Sequence, residues 1–422
     1  MNISDSKIID FVSLKKGGIM NKKSKLIGIC TLLILTNVLA AIFVPSINAS
    51  KNQNELSGSE NYQENHQEVK NIILMVPDGM GMADTTAARI YKSGPGGAPL
   101  YFETLENIGY QRTYSNNSII TDSAAAGSAW ACGEKFNNGE ICYHNDGRPY
   151  NPSILELAKA EGKATGLVAT STITHATPAV FGSHVKSRNC ENEIARQYIQ
   201  VTGVDVMLGG GVEKFNSTKQ DKCGTSGNFI SQAEQKGYSL VYTKAGMDSA
   251  VANGTVKLLG LFNNSSMTPE YLRTSGITEP RLPEMTSGAL DILEKDRDGF
   301  FLMVEGSQVD WANHANDLNY QIGETLAFDE AVKVVLDWVN ENPARREHTL
   351  LIVVPDHETG GFAINGPDKL LSAGESVDAG WTSGDHTGVD TIIWSQGPGS
   401  KALGRAVDNT DLYGVMAKAI KQ

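Results

Sequence analysis

The segment Glu305-Gly-Ser-Gln-Val-Asp310-Trp311-Ala-Asn-His314 gathers more chemistry-bearing side chains than any other stretch of this chain. Asp310 and His314 are four residues apart, so on a helix they share one face and can close on a single ion. Glu305 ends the apolar run Phe300 to Val304, the C-terminal end of an expected strand, where open α/β sheets place their ligands. Carboxylate with imidazole is a ligand set for zinc-like divalent ions. An i,i+4 polar pair alone is more often a solvated helix face, so the remaining acids and histidines must decide.

Four further places supply them. Asp78 stands in Val76-Pro-Asp-Gly-Met-Gly81, directly after an apolar strand. That Gly-x-Gly lacks the third glycine of a dinucleotide fingerprint, and an Asp at a sheet edge is read here as a metal ligand. Asp122-Ser123 opens the small-residue run Ala124-Ala-Ala-Gly127, with Asp122 as N-cap and the Ser123 hydroxyl at a helix N-terminus, where a developing alkoxide and a bound anion are favoured. No G-x-S-x-G elbow surrounds Ser123, so a Ser-His-Asp hydrolase is disfavoured and a metal must activate it. In His175-Ala-Thr177-Pro178 the proline is expected to hold Thr177 extended with its hydroxyl outward, and Arg188 can grip two oxygens of a phosphate or carboxylate. The last place is a pair of loops, Asp356-His357-Glu358 and Asp385-His386-Thr387-Gly388; with the other acids they provide ligands for more than one ion.

These residues need a common scaffold. Strands are expected at Asn71–Val76, Ala164–Ala169, Val204–Leu208, Thr255–Leu261, Gly299–Val304, Thr349–Val354 and Val389–Trp394. Helix-like stretches such as Pro152–Glu161, Glu191–Thr202, Pro283–Glu294 and Tyr320–Asn340 lie between them. The alternation predicts an α/β fold: a largely parallel central sheet with helices on both faces and functional residues at the strand C-terminal edge. No internal repeat breaks residues 69–422, which are read as one catalytic domain.

Composition limits the alternatives. Hydrophobic content of 40% and charged content of 20% describe a globular chain. The formal net charge is −12, and residues 1–49, with six Lys against two Asp, would leave a still more acidic remainder. Such a surface argues against nucleic acid as a partner. Met20 to Ser50 reads as an export signal: Lys22, Lys23 and Lys25, then apolar Leu26 to Val44, then a small-residue cleavage site at Ala49. Either Met1 or Met20 can be the start, export leads to a periplasmic or extracellular site, and an uncleaved membrane anchor is the minority reading. Residues 50–68 are polar, as suits a flexible mature N-terminus. Outside the signal remain Cys132, Cys142, Cys190 and Cys223, an even set that suggests two disulfides in an exported protein. Pairing along the chain, Cys132–Cys142 and Cys190–Cys223, is preferred among three connectivities.

Phosphate monoesters hydrolyse so slowly that enzymes supply accelerations up to about 10²¹, on the order of 28 kcal/mol. One general base gives about 10²–10⁴, whereas two metals clamping the attacking and leaving oxygens meet the need. From about residue 70 onward the chain resembles alkaline phosphatases: Asp-Gly-Met-Gly, Thr-Asp-Ser-Ala-Ala, His-Ala-Thr-Pro with Ser-Arg, Glu-Gly with Asp and His, Asp-His-Glu and His-Thr-Gly occur in the family's order. The resemblance implies two Zn²⁺ and one Mg²⁺. Asp310, His314 and His386 would hold the first zinc, and Asp78, Asp356 and His357 the second, with Ser123. Asp78, Thr177 and Glu305 would form the magnesium site, and Arg188 would clamp the phosphoryl oxygens. It implies in-line attack by Ser123, a phosphoseryl intermediate hydrolysed by water, small phosphate monoesters as substrates, inorganic phosphate as product, and by family habit a homodimer. His175 and Trp311 stand where the best-known bacterial members have Asp and Lys, which points to a His/Trp subfamily with an easily lost third ion. A phosphodiesterase or sulfatase of the same superfamily is the alternative. A non-catalytic metal or phosphate scavenger is disfavoured by the intact Ser123.

Overall fold

The computed structural model describes residues 68–421. The expected export signal and all but the last residue of the polar stretch 50–68 lie outside the described residues. Ten strands form one sheet: β1 (Asn71–Pro77), β2 (Asn107–Arg112), β3 (Ala164–Thr172), β4 (Val206–Gly210), β5 (Ser239–Val241), β6 (Leu258–Leu261), β7 (Phe300–Gly306), β8 (Thr349–Val353), β9 (Thr391–Gln396) and β10 (Ala406–Asp408). Their spatial order is β10-β2-β9-β8-β1-β7-β3-β4-β6-β5. Only β9 runs against its neighbours, β8 and β2; all other pairings are parallel.

The sequence of β1 shows why the sheet is covered on both sides. Successive side chains of a strand point to opposite faces. Ile72, Leu74 and Val76 enter one core, and Ile73 and Met75 enter the other. A strand buried on both faces therefore reads as an unbroken apolar run, not as an alternation.

Helices complete the two cores, among them α1 (Met82–Ser93), α2 (Ser123–Cys132), α3 (Ala176–Gly182), α4 (Leu282–Leu293), α5 (Gln308–His314), α6 (Leu318–Glu341) and α7 (Asp411–Ile420). Residues of α2, α3 and α7 pack with Ile72 and Leu74, and residues of α1, α4, α5 and α6 pack with Ile73 and Met75. The sulfur atoms of Cys132 and Cys142 are bonded, as are those of Cys190 and Cys223. Among the described residues no helix is long and apolar enough to cross a membrane.

Thr177 differs from its expected conformation. It is the second residue of α3 and is helical, not extended. Pro178 follows in the first turn, where a backbone N–H has no intrahelical acceptor, so the missing donor costs nothing; the first bond of the helix is Ala179 N to His175 O, 3.0 Å.

Candidate metal centre

Four adjacent parallel strands, β8, β1, β7 and β3, end on the same edge, and each hands its polar residues to that edge. Asp78 follows β1, Glu305 is paired with Val76 near the end of β7, Asp356 and His357 follow β8, and His175 and Thr177 follow β3. Asp310 and His314 come from α5, one turn apart. His386 lies on a two-residue strand paired with Glu358–Thr359.

The turn after β1 fits only glycine. Gly79 has φ +73°, and a Cβ there would sit 2.7 Å from Asp310 Cα and 2.8 Å from Thr359 Oγ1. Its N–H donates to Asp356 Oδ1 at 3.1 Å, drawing the β8 loop against the β1 loop.

Each of three histidines is held by Nδ1 and leaves Nε2 facing acids. His314 Nδ1 lies 2.6 Å from Gly384 O and its Nε2 3.3 Å from Asp310 Oδ1. His386 Nδ1 lies 2.9 Å from Thr121 O and its Nε2 3.5 Å from Asp310 Oδ1. His357 Nδ1 lies 3.2 Å from Thr359 Oγ1, and its Nε2 is 3.1 Å from Asp356 Oδ2 and 3.6 Å from Asp78 Oδ1. Fixing one ring nitrogen this way orients the other for a metal. Ligand atoms of Asp310, His357 and His386 lie within 4.8 Å of one another, and so do those of Asp78, Asp356 and His357. His357 thus faces both groups, and His314 reaches the first through Asp310. A third group, Cys132, Cys142 and His184, offers no ligand set, because its two sulfurs are joined.

The acids are short of positive charge. Asp78 Oδ1 and Oδ2, Asp356 Oδ2, Glu305 Oε1 and Thr177 Oγ1 are buried without a hydrogen-bond partner. Burial and the neighbouring Asp356, Asp310 and Glu305 push the Asp78 carboxyl well above the usual range, and burial pushes Glu305 to about 7. Burial opposes ionisation of Asp310 too, but the hydrogen bond to His314 and the charges of His357 and His386 outweigh it and hold that carboxyl low. Buried oxygens that lack donors and carboxylates that repel one another are what a divalent cation neutralises. The donor set, oxygen with imidazole, fits zinc and, on its oxygen-only side, magnesium.

Ser123 opens α2, and its Oγ lies 3.3 Å from His357 Nε2. Asp122, the N-cap, accepts from Ala125 N at 3.0 Å. Its other oxygen accepts from Arg188 Nη1 at 2.9 Å, a role for Asp122 that the cap reading missed. Arg188 Nη2 lies 3.3 Å from His175 Nε2, and burial with the Arg188 charge lowers His175 to about 4. The His175 ring meets Trp311 edge-on, centroids 5.9 Å apart. Thr359 was also missed: it donates to Asp310 Oδ1 at 2.5 Å while lying against His357. A threonine two residues past an Asp-His pair carries no signal of its own.

A family model described as alkaline phosphatase matches residues 69–379. The chain belongs to the alkaline phosphatase family. Alkaline phosphatase 3 of Bacillus subtilis is 34% identical over 91% of the chain and 96% of its own length. The alkaline phosphatase of Escherichia coli K12 is 33% identical over 83% and 86%. Among solved structures, the alkaline phosphatase of the Antarctic bacterium TAB5 superposes with TM-score 0.73 at 30% identity, covering 84% of this chain and 98% of that one. Variants of that enzyme with a histidine changed to Glu or Asp have Mg bound in the M3 site. The Thermus thermophilus enzyme gives TM-score 0.74 at 29% identity, covering 86% and 95%. As a member of the alkaline phosphatase family, the chain is a phosphomonoesterase, acting on phosphate monoesters and releasing inorganic phosphate.

Proposed function

We propose that this phosphomonoesterase works through a phosphoserine on Ser123 in a three-cation site: Asp310, His314 and His386 for one zinc, Asp78, Asp356 and His357 for a second, and Asp78, Thr177 and Glu305 for magnesium. The observation that carries this reading is the set of five partnerless buried oxygens on Asp78, Asp356, Glu305 and Thr177, beside a serine at a helix N-terminus. Bound cations would supply Lewis acidity at the attacking and leaving oxygens.

The chain's own groups do the rest. Arg188, braced by Asp122, offers its guanidinium edge to the phosphoryl oxygens and discriminates for a terminal dianion. The α2 N-terminus adds free N–H groups and a favourable dipole for the Ser123 alkoxide. Ser123 Oγ attacks phosphorus in line, the alcohol departs, and water then cleaves the phosphoseryl bond to free phosphate. His357 keeps Nε2 toward Ser123 because Thr359 occupies its other face.

His175 bears on the third cation. With Arg188 donating to Nε2, the neutral ring carries its proton on Nδ1, which is buried and partnerless. An N–H is a donor and not a ligand, so in this tautomer the ring offers a cation no acceptor, where an Asp would offer carboxylate oxygens. This supports the His/Trp subfamily reading and an easily lost magnesium. Export, and a homodimer formed on the uncovered face of β2, where Ile108 is 56% and Tyr110 44% exposed, belong to the same proposal.

The test joins metal analysis of purified protein to rates on a nitrophenyl phosphate, its diester and its sulfate. Zinc with activity on the monoester, raised by added Mg²⁺ after mild chelation, is expected. A preferred diester or sulfate, or full activity without metal, would overturn the reading.

A further inference from the structure

Three residues of the sequence motifs are not among the proposed cation ligands: Gly81 of Asp-Gly-Met-Gly, Glu358 of Asp-His-Glu and Thr387 of His-Thr-Gly. The fold brings them into contact. Glu358 is buried; its Oε2 accepts from the Thr387 hydroxyl and its Oε1 from Phe362 N at 3.1 Å. A Cβ at Gly81 would sit 2.7 Å from Glu358 Cγ and 3.2 Å from Asp84 Oδ2, so the turn after β1 needs glycine there for the two acids to pass.

Glu358 and Asp84 do not form a further cation site. Asp84 is buried too, and its Oδ1 accepts from Asn313 Nδ2 at 2.9 Å and its Oδ2 from Gly81 N at 2.7 Å. All four oxygens of the pair thus have donors, unlike Asp78, Asp356 and Glu305, each of which has at least one partnerless oxygen. A buried carboxylate already supplied with donors does not call for an ion.

What Glu358 holds is the approach of His386. Asp310 and His314 share α5, whereas His386 arrives on a separate strand of two residues. In that ladder Glu358 pairs with Thr387 and Thr359 with His386. So short a ladder has little stability of its own, and a cross-strand side-chain bond is what adds to it. The His386 ring is otherwise located by Thr121 O, 2.9 Å from Nδ1, and by stacking on His357 with centroids 3.6 Å apart. Neither contact sets how closely the strand docks against α5.

We propose that Glu358 is a positioning residue for the first zinc: through Thr387 it seats the strand of His386 so that His386 closes the ligand set begun by Asp310 and His314. The inference rests on the cation reading of the site.

The experiment titrates metal-free protein with zinc against a competing chelator in wild type, Thr387→Val and Thr387→Ser, with His386→Ala marking which binding step belongs to the first zinc. Thr387→Val removes the donor and keeps the branched shape. It is expected to weaken the first zinc about 10-fold and leave the second unchanged, and Thr387→Ser to restore the wild-type affinity. The Tm of the metal-free chain, measured alongside, is expected to stay near that of wild type. Equal affinities in wild type and Thr387→Val overturn the proposal. So does an equal weakening of both zincs with a lower metal-free Tm, which would make the bond a general staple of the loops. Wild-type protein that takes up no zinc would sink the cation reading itself, and this inference with it.

Discussion

At the residue scale the site is a charge problem solved by hydrogen bonds that fix ligand orientation. Four buried acids face three imidazoles, and the atoms that hold those imidazoles are backbone carbonyls and one hydroxyl. Thr359 is that hydroxyl, and it also serves Asp310. Thr359→Val should keep the fold's shape but free both partners, and metal affinity should fall about 10- to 100-fold, the usual cost of losing such an outer contact. Measuring bound zinc after dialysis against graded chelator checks this; unchanged retention would show that Thr359 has no part in holding the metal. The acids and histidines were legible in the sequence because they end apolar runs or recur as Asp-His pairs. Thr359 and the brace from Asp122 to Arg188 were not, because they depend on which loops meet across the sheet edge.

At the element scale, legibility followed burial. β1, β3, β7 and β8 are buried on both faces or nearly so, and their apolar runs announce them. β2 was missed because Asn107, Ile108, Tyr110 and Arg112 are at least partly exposed, and β5 and β10 because three residues hold no pattern. The stretch expected as one helix over Glu191–Thr202 is an α-helix to Gln197, then a wider turn over Tyr198–Thr202. The long helix α6 also carries a pH-dependent cost. Burial raises the Glu324 carboxyl from its ordinary 4.5 to about 8, while its oxygen accepts from Glu270 N at 2.6 Å. A raised carboxyl pKa means that the folded chain keeps this proton longer than the unfolded chain. The folded state therefore bears no penalty below about pH 4.5 and an increasing one up to about pH 8. Glu324→Gln keeps the acceptor and should raise Tm by about 2–4 °C at pH 9 and leave it nearly unchanged at pH 5. Thermal melts at both pH values decide; a gain larger at pH 5 would contradict the assignment.

At the scale of the whole molecule, one parallel edge brings together residues separated by up to 308 positions, from Asp78 to His386. The fold class was legible because βαβ alternation leaves few other arrangements. The antiparallel course of β9 was not, since its apolar residues read the same in either direction. The proposed homodimer should appear as twice the chain mass in sedimentation, and Ile108→Glu should shift it toward monomer; a monomeric wild type would end that part of the proposal. Covalent turnover on Ser123 within the cation site is the step on which the proposed chemistry depends. It is tested by acid quenching of the metal-loaded enzyme during turnover of a phosphate monoester, followed by mass spectrometry of its peptides. One phosphorylated peptide is expected, with the phosphate on Ser123, lost in Ser123→Ala together with at least about 10³-fold in kcat. Steady turnover with no phosphoserine, or a Ser123→Ala enzyme that keeps its rate, would rule the covalent route out.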